Sequence, residues 1–120
     1  MAEIFVIKAD ELKEGDRCIV RTPRGEIGVF AHEGGYYAYA NQCVHSGGPA
    51  CEGILIPRVE DIIAEDKTYQ GQRFSEDMHI VCPWHGWEFD LKSGVCAGDS
   101  KYRLKKYETV VRSGDLYIVA

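Results

Sequence analysis

The chain lacks a positive charge balance: 14 Lys plus Arg stand against 19 Asp plus Glu, a formal net charge of −5 over 120 residues. Such an excess repels phosphate backbones and anionic headgroups, which argues against nucleic acid and membrane surfaces as partners. Long hydrophobic runs are missing too. No apolar stretch approaches the roughly 20 residues that span a bilayer. The opening MAEIFVIKAD sets Glu3 and Asp10 around a short apolar run, without the basic and long apolar regions of a secretory leader. A soluble, cytoplasmic protein is therefore expected. Internal repeats and low-complexity tracts are absent. At 120 residues, a single domain over 1–120 is expected, with no room for separate cofactor and substrate domains. The five cysteines cannot all pair, and a chain without a leader sits where thiols stay reduced, so a disulfide framework gives way to metal ligation.

What is present is a strand grammar. Runs of β-branched and aromatic residues, Glu3 to Lys8, Arg17 to Arg21, Glu26 to Ala31 and Tyr36 to Asn41, are separated by the turn signals TPRG (Thr22 to Gly25) and EGG (Glu33 to Gly35). The same grammar returns in Met78 to Cys82, Trp87 to Asp90, Lys105 to Arg112 and Asp115 to Val119, joined by LKSG and RSGD. The pattern predicts an all-β, mostly antiparallel sandwich or barrel. One segment departs from it. The insertion at 54–77 carries six acidic residues, and its Val59, Ile62 and Ile63 stand at helical spacing. Leu55, Ile56 and Val59 could equally begin a strand, so both conformations stay open.

Chemistry concentrates at two loops that follow predicted strands. NQCVHSGGPACEG holds Cys43 and His45 as C-x-H, CPWHGW holds Cys82 and His85 as C-x-x-H, and 36 residues separate His45 from Cys82. Two thiols and two imidazoles make a two-armed donor set that suits zinc or an iron-sulfur centre. C-x-H is tighter than the knuckle of a structural zinc finger. Gly47, Gly48, Pro49, Pro83 and Gly86 allow backbone N–H groups to approach a large acceptor such as inorganic sulfide, which favours a cluster over a single ion. The remaining Cys18, Cys51 and Cys96 read as small buried hydrophobes, and His79 as a strand residue.

C-x-H-x-G-G-P and C-P-W-H-G-W resemble the two signature boxes of the Rieske family, and the flanking strands and the FDLKSG turn are similar to that family's domain. The resemblance implies a Rieske-type antiparallel β-sandwich or barrel whose cluster-binding subdomain, about 42–98, consists of two ligand loops. It also implies one [2Fe-2S] cluster, with Cys43 and Cys82 on the buried iron and His45 and His85 on the outer one. High-potential members carry a cysteine in each box and hydroxyl donors after the second. Gly48, Trp84, Trp87 and Phe89 stand in those places here. Fewer donors to sulfur lower the potential, so a low-potential ferredoxin type is expected.

The role implied is a monomeric one-electron carrier between an NAD(P)H-dependent flavin reductase and a terminal oxygenase, with no catalysis of its own. The first box, the insertion and HIVCPWHGWEFDLKSG are also similar to Rieske domains of ring-hydroxylating oxygenase large subunits, but a catalytic iron domain does not fit in 120 residues. Two alternatives remain at this point: a Rieske-like small subunit of a multisubunit reductase such as nitrite reductase, and a zinc-stabilised binding module.

Overall fold

The computed structural model describes residues 2–43, 47–63, 69–83 and 86–120, with 57–63 and 69–77 described by their backbone alone. Among the described residues the chain forms β1 (Glu3–Lys8), β2 (Arg17–Thr22), β3 (Gly25–His32), β4 (Gly35–Ala40), β5 (Ile54–Ile63), β6 (Tyr69–Val81), β7 (Glu88–Asp90), β8 (Lys106–Arg112) and β9 (Asp115–Val119). Two 3₁₀ turns, Ala9–Glu11 and Ala50–Glu52, complete the regular structure there. No described helix is long and apolar enough to cross a membrane.

Every strand pairing is antiparallel. Six strands form one sheet in the order β1-β9-β8-β4-β3-β2, and three form a second in the order β5-β6-β7. The edge strands β1 and β2 touch, so the large sheet curls into a nearly closed barrel. This is the all-β antiparallel architecture expected from the alternating runs and turn signals, and β1 and β9 fall on the predicted residues.

Two cores explain the apolar patterning. Ile27, Val29, Ala31, Ala38, Leu116 and Ile118 fill the barrel. Phe30 and Tyr39, on the opposite faces of β3 and β4, pack outward against Ile80, Phe89, Leu91 and Leu104. Because side chains alternate across a strand, a strand covered on both faces reads as a continuous buried run rather than an alternation. From Ile27 to His32 every residue of β3 is buried for that reason.

The insertion resolves as strand over its described part, and no helix forms over Ile54–Ile63. One or two isolated helical turns cannot offset their nucleation cost. Pairing with β6 instead supplies partners to β5 from Ile54↔Val81 through Pro57↔Met78, and again from Val59↔Phe74 to Ile63↔Tyr69 after a register shift. β7 joins only the last residues of β6, through His79↔Asp90 to Val81↔Glu88, so the outer part of the β5-β6 pair is a two-stranded ribbon.

Candidate metal centre

Chain topology brings the two cysteine loops together. β4 ends at Ala40, and the first loop runs from there through Cys43 to the 3₁₀ turn Ala50–Glu52 and into β5. The second loop begins where β6 ends, at Cys82. Since Ile54 pairs with Val81, the base of the β5-β6 hairpin sets the exit of loop one beside the entry of loop two. The 36 residues between His45 and Cys82 are thus spanned mainly by a ribbon whose length does not alter the spacing of the loops at its base.

Cys43 and Cys82 are 2% and 1% exposed and belong to one buried cluster with Cys51, Ile80, Phe89 and Cys96. Loop one is closed on itself: the Cys43 N–H donates to the Gly48 carbonyl at 2.7 Å, and the Gly47 N–H donates to the Cys43 carbonyl at 2.8 Å. Loop two is closed by the Cys82 N–H, which donates to the Trp87 carbonyl at 2.8 Å. His45 and His85, the other two expected ligands, lie outside the described residues, as does Trp84. Trp87 packs partly buried against the cluster and meets Tyr102 edge-on at 5.5 Å, while Phe89 is fully buried.

The 3₁₀ turn is a wedge between the barrel and loop two. A Cβ at residue 53 would fall on the Val81 carbonyl oxygen, 2.7 Å from its carbon and 3.2 Å from Pro83 Cδ. A Cβ at residue 28 in β3 would lie 2.6 Å from Cys51 Sγ. Both positions need glycine because another chain segment occupies the space of a side chain. Arg17, at the start of β2, ties the wedge down: its Nη1 donates to the carbonyls of Cys51, at 2.9 Å, and Gly53. Asn41 holds the other side, accepting from the Cys51 N–H at 2.9 Å and donating to Glu52 at 3.0 Å and Glu26 at 3.3 Å.

Among the thiols, Cys51 is set apart from metal chemistry. It is fully buried, its Sγ donates to the carbonyls of Tyr39 at 3.4 Å and Ala40 at 3.6 Å, and burial pushes its pKa up to about 12. A thiol held in that form is a poor ligand, since ligation requires the thiolate. Cys96 is buried as expected, whereas Cys18 is only half-buried, on β2. The cysteines form no disulfide in this structure. His79 is buried and hydrogen-bonds through Nδ1 to Glu88 Oε1 at 3.1 Å, which ties β6 to β7 just before loop two. Tyr39, whose phenol is pushed up by burial, donates to the Leu91 carbonyl at 2.6 Å and ties β4 to the turn after β7. The roles of Arg17, Asn41, Gly28 and Gly53 had no sequence signal, because each acts on a backbone atom or, for Gly28, on the Cys51 side chain, brought near only by folding.

The family profile of the Rieske [2Fe-2S] domain matches residues 2–108. The chain belongs to the Rieske family. A Rieske domain-containing protein of Homo sapiens is 30% identical over 93 residues, 78% of this chain and 49% of its own, so the chain spans about half the length of that relative. The 3-phenylpropionate/cinnamic acid dioxygenase ferredoxin subunit of Photorhabdus laumondii is 27% identical over 121 residues, covering 98% of this chain and 94% of its own. Among solved structures, the E. coli protein NirD superposes with a TM-score of 0.69 at 14% identity, covering 98% of this chain and 94% of that one, a likeness of fold alone. The described part of this Rieske domain fits an iron-sulfur group. Two soft thiol donors, Cys43 and Cys82, emerge from separate, self-closed loops into one buried cluster, where the neighbouring Cys51 thiol is occupied by carbonyls.

Proposed function

We propose that this Rieske protein is a cytoplasmic, monomeric one-electron carrier. In this reading Cys43, His45, Cys82 and His85 hold one [2Fe-2S] cluster. Electrons arrive from an NAD(P)H-dependent flavin reductase and leave to a terminal oxygenase, with no substrate chemistry on this chain. The observation that carries the reading is the hairpin base, which delivers Cys43 and Cys82 into the same buried cluster although 38 residues separate them in the sequence. The dioxygenase ferredoxin subunit that matches nearly end to end supports the oxygenase branch.

When bound, the cluster supplies a one-electron couple. The chain's own contribution is to hold and shield. Cys43 and Cys82 sit at the inner ends of their loops, where water is excluded, and Phe89 and Trp87 add apolar cover without a hydroxyl donor. Fewer donors to sulfur leave the reduced state less stabilised, which places the potential toward the low end of the family's span of about −150 to +300 mV.

The test is anaerobic purification with iron and labile-sulfide assay, followed by electron paramagnetic resonance during a potentiometric titration. A rhombic reduced signal with average g below 2 at the low end of that span is expected. Colourless protein containing zinc and no labile sulfide would overturn the reading in favour of a zinc-stabilised module. Stoichiometric copurification with a large reductase subunit would replace the oxygenase branch with the nitrite reductase one.

A further inference from the structure

Although the chain is acidic overall, one groove beside loop one has cationic walls. It has a volume of about 640 Å³, and its described lining, which includes Arg24, Gln42, Cys43, Gly47, Lys105 and Tyr107, holds no carboxylate. Arg24 stands in the β2-β3 turn and Lys105 immediately before β8, so the two cations approach the groove from different parts of the barrel. Elsewhere on the described surface, Arg21, Lys92, Lys101 and Arg112 are each within ion-pair distance of a carboxylate. Arg24 and Lys105 are exposed and make no ion pair among the described residues, a state they share with Lys8, Lys13, Arg103 and Lys106. The Lys105 ammonium is instead held 5.2 Å above the ring of Tyr107, itself a groove residue. A ring face fixes where the ammonium stands while leaving the N–H groups not turned toward the ring available to an acceptor, which lowers the ordering cost of binding an anion. Arg24, Lys105 and Tyr107 also border an adjoining cavity whose lining includes Lys106 and Glu108, so the two cations face a carboxylate on that side and none among the described lining residues on the side of Cys43.

We propose that this groove is a docking site for a carboxylate-bearing surface of a redox partner, with Arg24 and Lys105 pairing with the partner's Asp or Glu side chains beside loop one. The inference rests on the electron-carrier reading above and adds the place and charge of a contact. Complementary charge steers encounters and fixes orientation more than it adds affinity, which suits a carrier that must release its partner after each transfer. A protein of net charge −5 repels an acidic partner at long range, so a local cationic groove also selects which face that partner meets.

The test uses the reduced holoprotein, oxidised at low ionic strength by ferricyanide in stopped flow. One electron leaves the reduced cluster and ferricyanide becomes ferrocyanide. Arg24→Glu combined with Lys105→Glu should slow this oxidation about tenfold. Lys8→Glu combined with Lys13→Glu makes the same change in net charge around the far end of β1 and should slow it much less. A hexaglutamate peptide, standing in for the partner's carboxylates, should compete with ferricyanide on the wild type and not on the groove variant. Equal slowing of both variants would reduce the effect to overall charge and overturn the proposal, as would an unchanged rate or peptide competition that survives in the groove variant. Protein that takes up no reducible cluster would defeat the electron-carrier reading itself, and this inference with it.

Discussion

Replacing Gly53 by alanine isolates the contact that joins the two ligand loops. Its backbone, φ −78° and ψ −179°, is one that alanine adopts without strain, so a conformational penalty plays no part. The obstacle is steric: the new Cβ would fall on the Val81 carbonyl oxygen and lie 2.7 Å from its carbon. Carbon pairs rest at about 3.5–4.0 Å, so the segments must part by roughly 1 Å or more. Both segments are backbone, one leading into β5 and the other ending β6, and parting them strains the Ile54↔Val81 pairing at the hairpin base. Overpacking of this kind costs about 3 kcal/mol, which for a chain of this length lowers the melting temperature by about 12 °C. Gly98→Ala is the control, because nothing lies within 4 Å of its added Cβ. Thermal unfolding followed by circular dichroism, with iron per chain measured alongside, should separate the two variants clearly. A Gly53→Ala protein melting within about 1 °C of Gly98→Ala would refute the claim that the loops are held together there.

Arg17→Ala should cost about 2 kcal/mol in urea unfolding, since it removes charge-assisted hydrogen bonds to two carbonyls of the wedge. Arg17→Lys should recover only part of that loss, because an ammonium lacks the planar fork. Gly94→Ala combines a φ of +76° with a Cβ 2.7 Å from Tyr39 Cε1, so a loss of about 2–3 kcal/mol by the same assay is expected. The raised pKa of Cys51, about 12 against an ordinary 9.0, means the folded state favours the protonated thiol. Its contribution is complete below pH 9 and is lost as pH rises from 9 toward 12. Cys51→Ala should therefore flatten the pH dependence of stability across that window, as read by urea midpoints. An equally steep decline in the variant would show that Cys51 does not contribute.

The strand runs and turns were legible because period-two alternation and Gly/Pro punctuation are local signals. Where a strand was covered on both faces, as β3 is, the alternation vanished, yet the apolar run still read as strand. The insertion was ambiguous for a different reason. Val59, Ile62 and Ile63 satisfy a helical spacing, and only pairing with Phe74 through Tyr69 on β6 decides for strand. At the site, Cys43 and Cys82 were legible from their boxes and meet in one buried cluster. Arg17, Asn41, Gly28 and Gly53 were not, because what each residue does is set by a backbone atom or thiol brought near only by folding.

By itself the sequence determined the strand grammar, the absence of an apolar stretch long enough to span a bilayer, and two thiol-imidazole loops specific enough to indicate family and chemistry. These follow from composition and short-range spacing, which depend on neighbouring residues alone. Only the tertiary structure decided that a hairpin base sets the two loops side by side. It also decided that the 3₁₀ turn wedges between barrel and loop two, that Cys51 is a structural thiol, and that Arg24 and Lys105 meet at one groove. Each of these depends on contacts between residues far apart in the chain, and strand pairing, which creates such contacts, leaves little trace in the local sequence.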